Sequence, residues 1–148
     1  MSHLCWRGPN PNDNAQISNG FIACTDESIQ LFHVSYSVDH DSETDVQKQT
    51  IDLNHFQTIQ CHPKVVNMCT MLDYNRVITC SRDPIINLWN VAGGGEEAEG
   101  EREAKFTGHE MSVSTVAVST NKEKLASGGR DCTTRIWDVE SQKSISKR

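Results

Sequence analysis

No apolar run in these 148 residues approaches the roughly 18–20 that a membrane-spanning helix requires. With 36% hydrophobic and 23% charged residues, the composition is that of a soluble globular chain rather than a membrane protein. The opening residues, Met1 to Pro9, lack a basic stretch followed by an apolar one, which is the pattern of a secretory leader. Positive charge is in deficit: 14 Lys+Arg face 20 Asp+Glu, for a net charge of −6. There is therefore no surplus of cations to displace counterions from a phosphate backbone, and nucleic acid is not the expected partner. No C-x-x-C pair occurs among Cys5, Cys24, Cys61, Cys69, Cys80 and Cys132, so zinc-knuckle and thioredoxin-like chemistry has no motif here. Four of these cysteines lie in apolar, strand-like runs, where the thiol serves as a small buried hydrophobe. That usage suits a reducing compartment, cytoplasmic or nuclear. Helical periodicity is missing as well: nothing repeats at 3.6 residues over three turns.

What is present is a series of short β-type runs separated by tight turns. Val65 to Met71, Arg76 to Cys80 and Ile85 to Trp89 are punctuated at Asp73-Tyr74-Asn75 and Ser81-Arg82-Asp83-Pro84. Val113 to Val118, Lys124 to Ser127 and Thr133 to Trp137 repeat that layout, which predicts an all-β fold. The repeat is close in register. His62 and His109 are 47 positions apart, and Trp89 and Trp137 are 48 apart. In each copy an Asp lies six residues before the Trp (Asp83, Asp131), with an Arg directly before the Asp (Arg82, Arg130). A looser copy runs from Phe21 to Val34, with Asp26 six residues before Phe32, and its first strand falls at His3-Leu4-Cys5-Trp6.

These residues resemble the WD40-repeat family. Thr107-Gly108-His109 matches its Gly-His signature and Ile136-Trp137-Asp138 its Trp-Asp signature; the middle copy has Cys61-His62 and Trp89-Asn90 instead. The resemblance implies β-propeller blades, each a four-stranded antiparallel sheet, in about three units that do not close a ring of the usual 4–8 blades. Divided accordingly, residues 1–60 hold a divergent unit with a long acidic linker. Residues 61–107 hold a repeat with a Gly/Glu-rich loop at 93–104, and residues 108–148 a repeat whose last strand, near Lys143 to Ser146, is short. The expectation is part of a longer protein, a shortened isoform or a chain that needs partners. The resemblance also implies a structural tetrad in each full copy: Trp137, Ser127, His109 and Asp131 in the last, and Trp89, Thr79, His62 and Asp83 in the middle. The first copy keeps Asp26 but has Ile22 and Phe32 at the other matching places, so no tetrad is expected there.

Two segments hold the acidity. Residues 39–45 and 93–104 carry −4 each, and without them the chain would be at +2. Both are predicted to be mobile surface loops, as is Gly8 to Asn14. Ser127, His109 and Asp131 could suggest a nucleophilic triad, but the same set recurs at 79, 62 and 83, and a catalytic site is not duplicated by a structural period. No catalytic residue, metal site or cofactor is therefore expected, because the only adjacent Cys/His pair, Cys61-His62, would point to opposite faces of a strand. The expected function is a non-enzymatic scaffold for other proteins or peptides, with no membrane partner and with self-association through open blade faces. The interaction rim is expected at Thr25, Arg82 and Arg130, since arginine suits carboxylate and phosphate partners and is enriched at binding hot spots. Two narrower roles follow from the resemblance. One is a binder of phosphorylated or acidic peptides through the arginines. The other is a substrate receptor of a ubiquitin ligase, although Glu140 and Ala92 stand where that class carries a basic residue. The pattern also faintly resembles divergent cilia-associated members of the family.

Overall fold

The computed structural model of the chain describes residues 4–6, 19–41, 46–92 and 100–148. Among these, the regular structure is entirely β, in three four-stranded antiparallel sheets, each a meander. The first sheet holds β1 (Leu4–Trp6), β2 (Asn19–Cys24), β3 (Ser28–Asp41) and β4 (Val46–Gln60). The second holds β5 (Val66–Asp73), β6 (Arg76–Ser81), β7 (Ile85–Asn90) and β8 (Glu101–Thr107). The third holds β9 (Val113–Val118), β10 (Lys124–Gly129), β11 (Thr134–Asp138) and β12 (Ser144–Lys147).

The sheets stack face to face, with the second in the middle. Because successive side chains of a strand point to opposite faces, β6 sends Val77 into one core and Ile78 and Cys80 into the other, while β7 divides Trp89 from Ile86 and Leu88 in the same way. This explains why Arg76–Ser81 and Ile85–Asn90 read as near-continuous apolar runs rather than alternations: both faces are covered. The first core joins Ile22, Cys24, Ile29, Leu31 and Ile59 of the first sheet to Val66, Cys69, Val77 and Trp89 of the second. The second core joins Ile78, Ile86, Leu88 and Phe106 to Val113, Val116, Leu125 and Trp137 of the third. Fully burying side chains of this kind stabilises by about 1.5–3 kcal/mol each.

Two predicted loops are corrected. The stretch between His33 and Cys61 is a long hairpin, with β3 and β4 paired continuously from Ser28↔Gln60 to Asp41↔Val46 across one bulge. Val34, Tyr36 and Val38 alternate with polar residues and pair with Leu53, Ile51 and Gln49. That period-two pattern is a strand signal which the flanking acidic residues obscure; residues 42–45 lie outside the described set. The Gly/Glu-rich loop likewise ends earlier than predicted. Glu101 to Glu103 belong to β8, where Glu101 pairs with Asn90 and Arg102 with Trp89. Residues 93–99, and the predicted loop from Gly8 to Asn14, lie outside the described residues. Deleting Gly94 to Arg102 is accordingly expected to destabilise the fold, because it removes the start of an outer strand and Gly100, which lies against Ile59. A lowered melting temperature would show this, whereas an unchanged one would mean that β8 does not need its first residues.

Each end sheet buries one face against the middle sheet. Ile22, Val116 and Leu125 face inward and are buried. At the free face of the first sheet, Leu4 is exposed and Phe32 lies half-buried against His55, its ring edge-on at 5.4 Å; the side chains of Trp6 and Phe21 are outside the described set. At the free face of the third sheet lies the row Ala117, Ala126 and Ile136, while half-buried Val118 packs inward against the second core. The projecting hairpin adds exposed Ile51 and Leu53.

Candidate functional site

In the third sheet the Trp137 indole Nε1–H donates to Ser127 Oγ at 2.8 Å. Ser127 Oγ lies 2.8 Å from His109 Nε2, and His109 Nδ1 lies 2.8 Å from Asp131 Oδ2. In the second sheet Trp89 Nε1–H donates to Thr79 Oγ1 at 3.1 Å. His62 Nε2 is 2.9 Å from Thr79 Oγ1, and His62 Nδ1 is 2.9 Å from Asp83 Oδ2. Donor logic assigns the protons. A carboxylate only accepts, so His Nδ1–H donates to Asp; the hydroxyl then donates to the bare Nε2 and accepts from the indole. Every polar atom along the chain is satisfied with the imidazole neutral, which is what buried groups require.

The same geometry removes the nucleophile that a hydrolytic triad would need. Ser127 Oγ and Thr79 Oγ1 are buried, each capped by an indole N–H. Attack on a substrate would have to break that cap first. Asp131 is held further by Glu110 N–H and by Thr133 through both its amide and its hydroxyl. Burial would raise its carboxyl, but these donors and His109 hold it below the usual carboxylate range. For His62, burial outweighs the attraction of Asp83 and pushes the imidazole below its ordinary 6.5. Its stabilising contribution is therefore complete above about pH 6.5 and is lost as pH falls through that value, because the unfolded chain then takes up a proton that the folded chain resists. The melting temperature is expected to fall between pH 7.5 and 5.5, with a shallower fall in His62→Gln. Equal slopes in the two chains would show that His62 is not the group responsible.

Among the described residues no equivalent chain forms in the first sheet, and the register gives a reason beyond the one read from sequence. Cys24 pairs with Ile29 across a turn one residue shorter than those joining Cys80 to Ile86 and Gly128 to Thr134. The place of Thr79 and Ser127 is thus taken by Ala23, not Ile22, and neither carries a hydroxyl. Asp26 is exposed, and it is its backbone carbonyl that does the linking, accepting from Val66 N–H at 2.6 Å. Asp83 accepts from Val113 N–H in the same way, at 3.2 Å. Each turn thereby ties its sheet to the first strand of the next.

Thr25, Arg82 and Arg130 each lie in the turn between the second and third strands of their sheet. Both arginines are exposed, and Thr25 is half-buried with its hydroxyl 2.6 Å from Ser28 Oγ. Some contributions had no signal in the sequence. Asn67 donates across sheets to Val113 O at 2.7 Å, but it has no counterpart at the matching place of another copy. At the opposite end, a cleft of about 630 Å³ between the second and third sheets is lined by Glu103, Glu123, Asp138 and Glu140 with Arg76 and Lys122. No group of three or more His, Cys, Asp or Glu among the described residues is arranged to hold a metal ion.

Gly108 before His109 has a steric cause. Its φ is +152°, and a Cβ there would lie 2.9 Å from an Arg135 guanidinium nitrogen and 3.2 Å from the Trp137 ring. In the second sheet Cys61 occupies this place, opposite the shorter Asn87, whose amide donates to Cys61 O at 3.0 Å. Gly108→Ala is expected to cost about 1–3 kcal/mol, with part of the loss recovered when Arg135→Asn is added. A double-mutant cycle from denaturant melts measures the coupling; strictly additive losses would contradict the steric account.

Stacked four-stranded antiparallel sheets, each full copy pinned by a Trp–Ser/Thr–His–Asp chain, define a protein built of β-propeller blades. The chain belongs to the WD40 family: the WD domain, G-beta repeat matches residues 53–90 and 100–138, more than half of its length. Each match takes the outer strand of one blade with the three inner strands of the next, so β1 to β3 fall outside both. Among relatives, Eukaryotic translation initiation factor 3 subunit I of Drosophila ananassae is 36% identical over 75 residues, covering 48% of this chain and 21% of that protein. The Xenopus tropicalis subunit is 31% identical over 80 residues, covering 51% and 23%. Telomerase protein component 1 of Rattus norvegicus is 35% identical over 78 residues, covering 53% of this chain and 3% of the relative. The chain thus spans about a fifth or less of the curated relatives it matches.

Proposed function

We propose that this chain is a non-enzymatic scaffold that binds acidic or phosphorylated segments of other proteins through the rim formed by Thr25, Arg82 and Arg130. The observation that carries this reading is the repetition of an exposed arginine directly before the tetrad Asp of two neighbouring blades. The tetrads fix the turns, so the backbone that carries the two arginines needs little ordering on binding. Arginine supplies a planar fork of donors matched to carboxylate and phosphate. Membership of larger assemblies is in keeping with relatives named as a subunit and a component. A ligase-receptor role draws nothing from Ala92 and Glu140, which carry no positive charge. Reduced thiols and an acidic surface suit a cytoplasmic or nuclear site of action and a protein rather than a nucleic-acid partner. The open faces, with Leu4, Ile51 and Leu53 exposed, favour self-association at high concentration.

The test is binding to a peptide array of matched phosphorylated, acidic and neutral sequences, with Arg82→Glu/Arg130→Glu as the comparison at equal melting temperature. Preferential binding to the phosphorylated or acidic members, lost in the double variant, is the expected result. Binding that ignores both the charge of the peptide and the arginine changes would overturn the rim as the site.

A further inference from the structure

Three thiols from three strands meet between the first and second blades. Cys5 comes from β1 and Cys24 from β2, both on the face turned toward the second blade, and Cys69 comes from β5 on the face turned back toward the first. Cys24 and Cys69 are members of one apolar core, and Cys5 packs against it, so the three thiols are neighbours there. All are reduced thiols. Their exposure differs: Cys24 and Cys69 are buried, whereas Cys5, on a three-residue edge strand, is half-buried. Cys61 lies in the same core, but its Sγ–H is engaged by Ile59 O at 3.3 Å. β1, which carries Cys5, and β5, which carries Cys69, are neighbouring strands across this core.

We propose that Cys5 and Cys69 are a modification site: a hydroperoxide oxidises Cys5, and Cys69 resolves the product as a reversible disulfide that staples the first blade to the second. Access selects Cys5 as the attacking sulfur, since it is the member of the cluster that solvent reaches. Its chemistry agrees, because the hydrogen bond from Cys69 outweighs burial and, with the Met71 backbone and Thr70, brings the Cys5 thiol down to about 7. Thiolate is the reactive form. Hydrogen bonding with Cys24 and Cys5, with burial, moves Cys69 the other way, so it waits as the thiol. In the first step the Cys5 thiolate attacks one oxygen of hydrogen peroxide. The O–O bond breaks, Cys5 becomes a sulfenic acid, and the departing hydroxide leaves as water. Cys69 then attacks the Cys5 sulfur, forming the S–S bond. The hydroxyl leaves with the Cys69 proton as a second water, so two thiols and one peroxide give one disulfide and two waters. A dithiol reductant reverses it.

The experiment treats the full chain with hydrogen peroxide, blocks remaining thiols with an alkylating agent and maps the digest by mass spectrometry. The expected result is a Cys5–Cys69 cross-linked peptide that dithiothreitol removes, with a higher melting temperature while it is present and no preference for this pair in the urea-unfolded chain. A Cys24–Cys69 peptide, or oxidation confined to exposed Cys132, would overturn the proposal. In Cys69→Ser the sulfenic acid at Cys5 has lost its resolving thiol and is expected to accumulate and be trapped by dimedone; no trapped adduct at Cys5 would count against the proposal equally. The map of the unmodified chain does not depend on how well any variant folds.

Discussion

Trp137→Ala is expected to unfold the third blade, with a loss of about 3–5 kcal/mol. The side chain is fully buried, and its ring meets Phe106 of the second blade edge-on at 5.9 Å. Truncation opens a cavity in the core between those blades and removes the N–H that caps Ser127 Oγ. A loss of that size is a large part of the total stability of an ordinary domain. Trp137→Phe separates the two effects. It keeps most of the apolar volume and forfeits only the hydrogen bond, so about 1 kcal/mol is expected. Denaturant melts of the three chains decide the matter. Equal losses for Ala and Phe would make the hydrogen bond, not the packing, the dominant contribution.

Asp131→Ala and His109→Ala are each expected to cost about 1–3 kcal/mol, because each leaves buried partners unpaired. Asp131→Ala strands the His109 Nδ1–H together with the amides of Glu110 and Thr133. Asp26→Ala occupies the corresponding place in the first blade, yet is expected to change stability by no more than about 0.5 kcal/mol. Its carboxylate is exposed, and the link to the next blade runs through its backbone carbonyl, which alanine retains. Equal melting losses for Asp26→Ala and Asp131→Ala would show that the first blade depends on its turn carboxylate after all.

The repeat was legible because its side chains act in combination at fixed offsets. His109, Ser127, Asp131 and Trp137 are spaced so that three strands and a loop bring them together, and the middle copy repeats the spacing with a Thr for Ser. Strands whose evidence is diluted were harder to see. In the β3–β4 hairpin, Asp39, His40 and Asp41 interrupt the alternation of Val34, Tyr36 and Val38, so charge spoke for a loop although the backbone pairs to Val46. The start of β8 was hidden for the same reason, since Glu101, Arg102 and Glu103 face solvent and only Ala104 and Phe106 mark the buried face. Register is invisible in the sequence: nothing in Thr25-Asp26-Glu27 announces a turn one residue shorter, and that residue puts Ala23, not Ile22, in the place of the tetrad hydroxyl. Backbone links between blades, such as Asp83 O to Val113 N–H, leave no trace in side-chain identity at all.

The central claim is that His62 and His109 are neutral structural links, each donating from Nδ1 to its Asp and accepting at Nε2 from a hydroxyl capped by an indole. Nitrogen-15 NMR of the imidazoles and indoles at pH 7.5 tests it most directly. The account requires both histidines to carry their proton on Nδ1 with Nε2 bare, and the Nε1–H protons of Trp89 and Trp137 to exchange slowly with solvent. Imidazolium ions, or a proton on Nε2 with rapidly exchanging indoles, would contradict it.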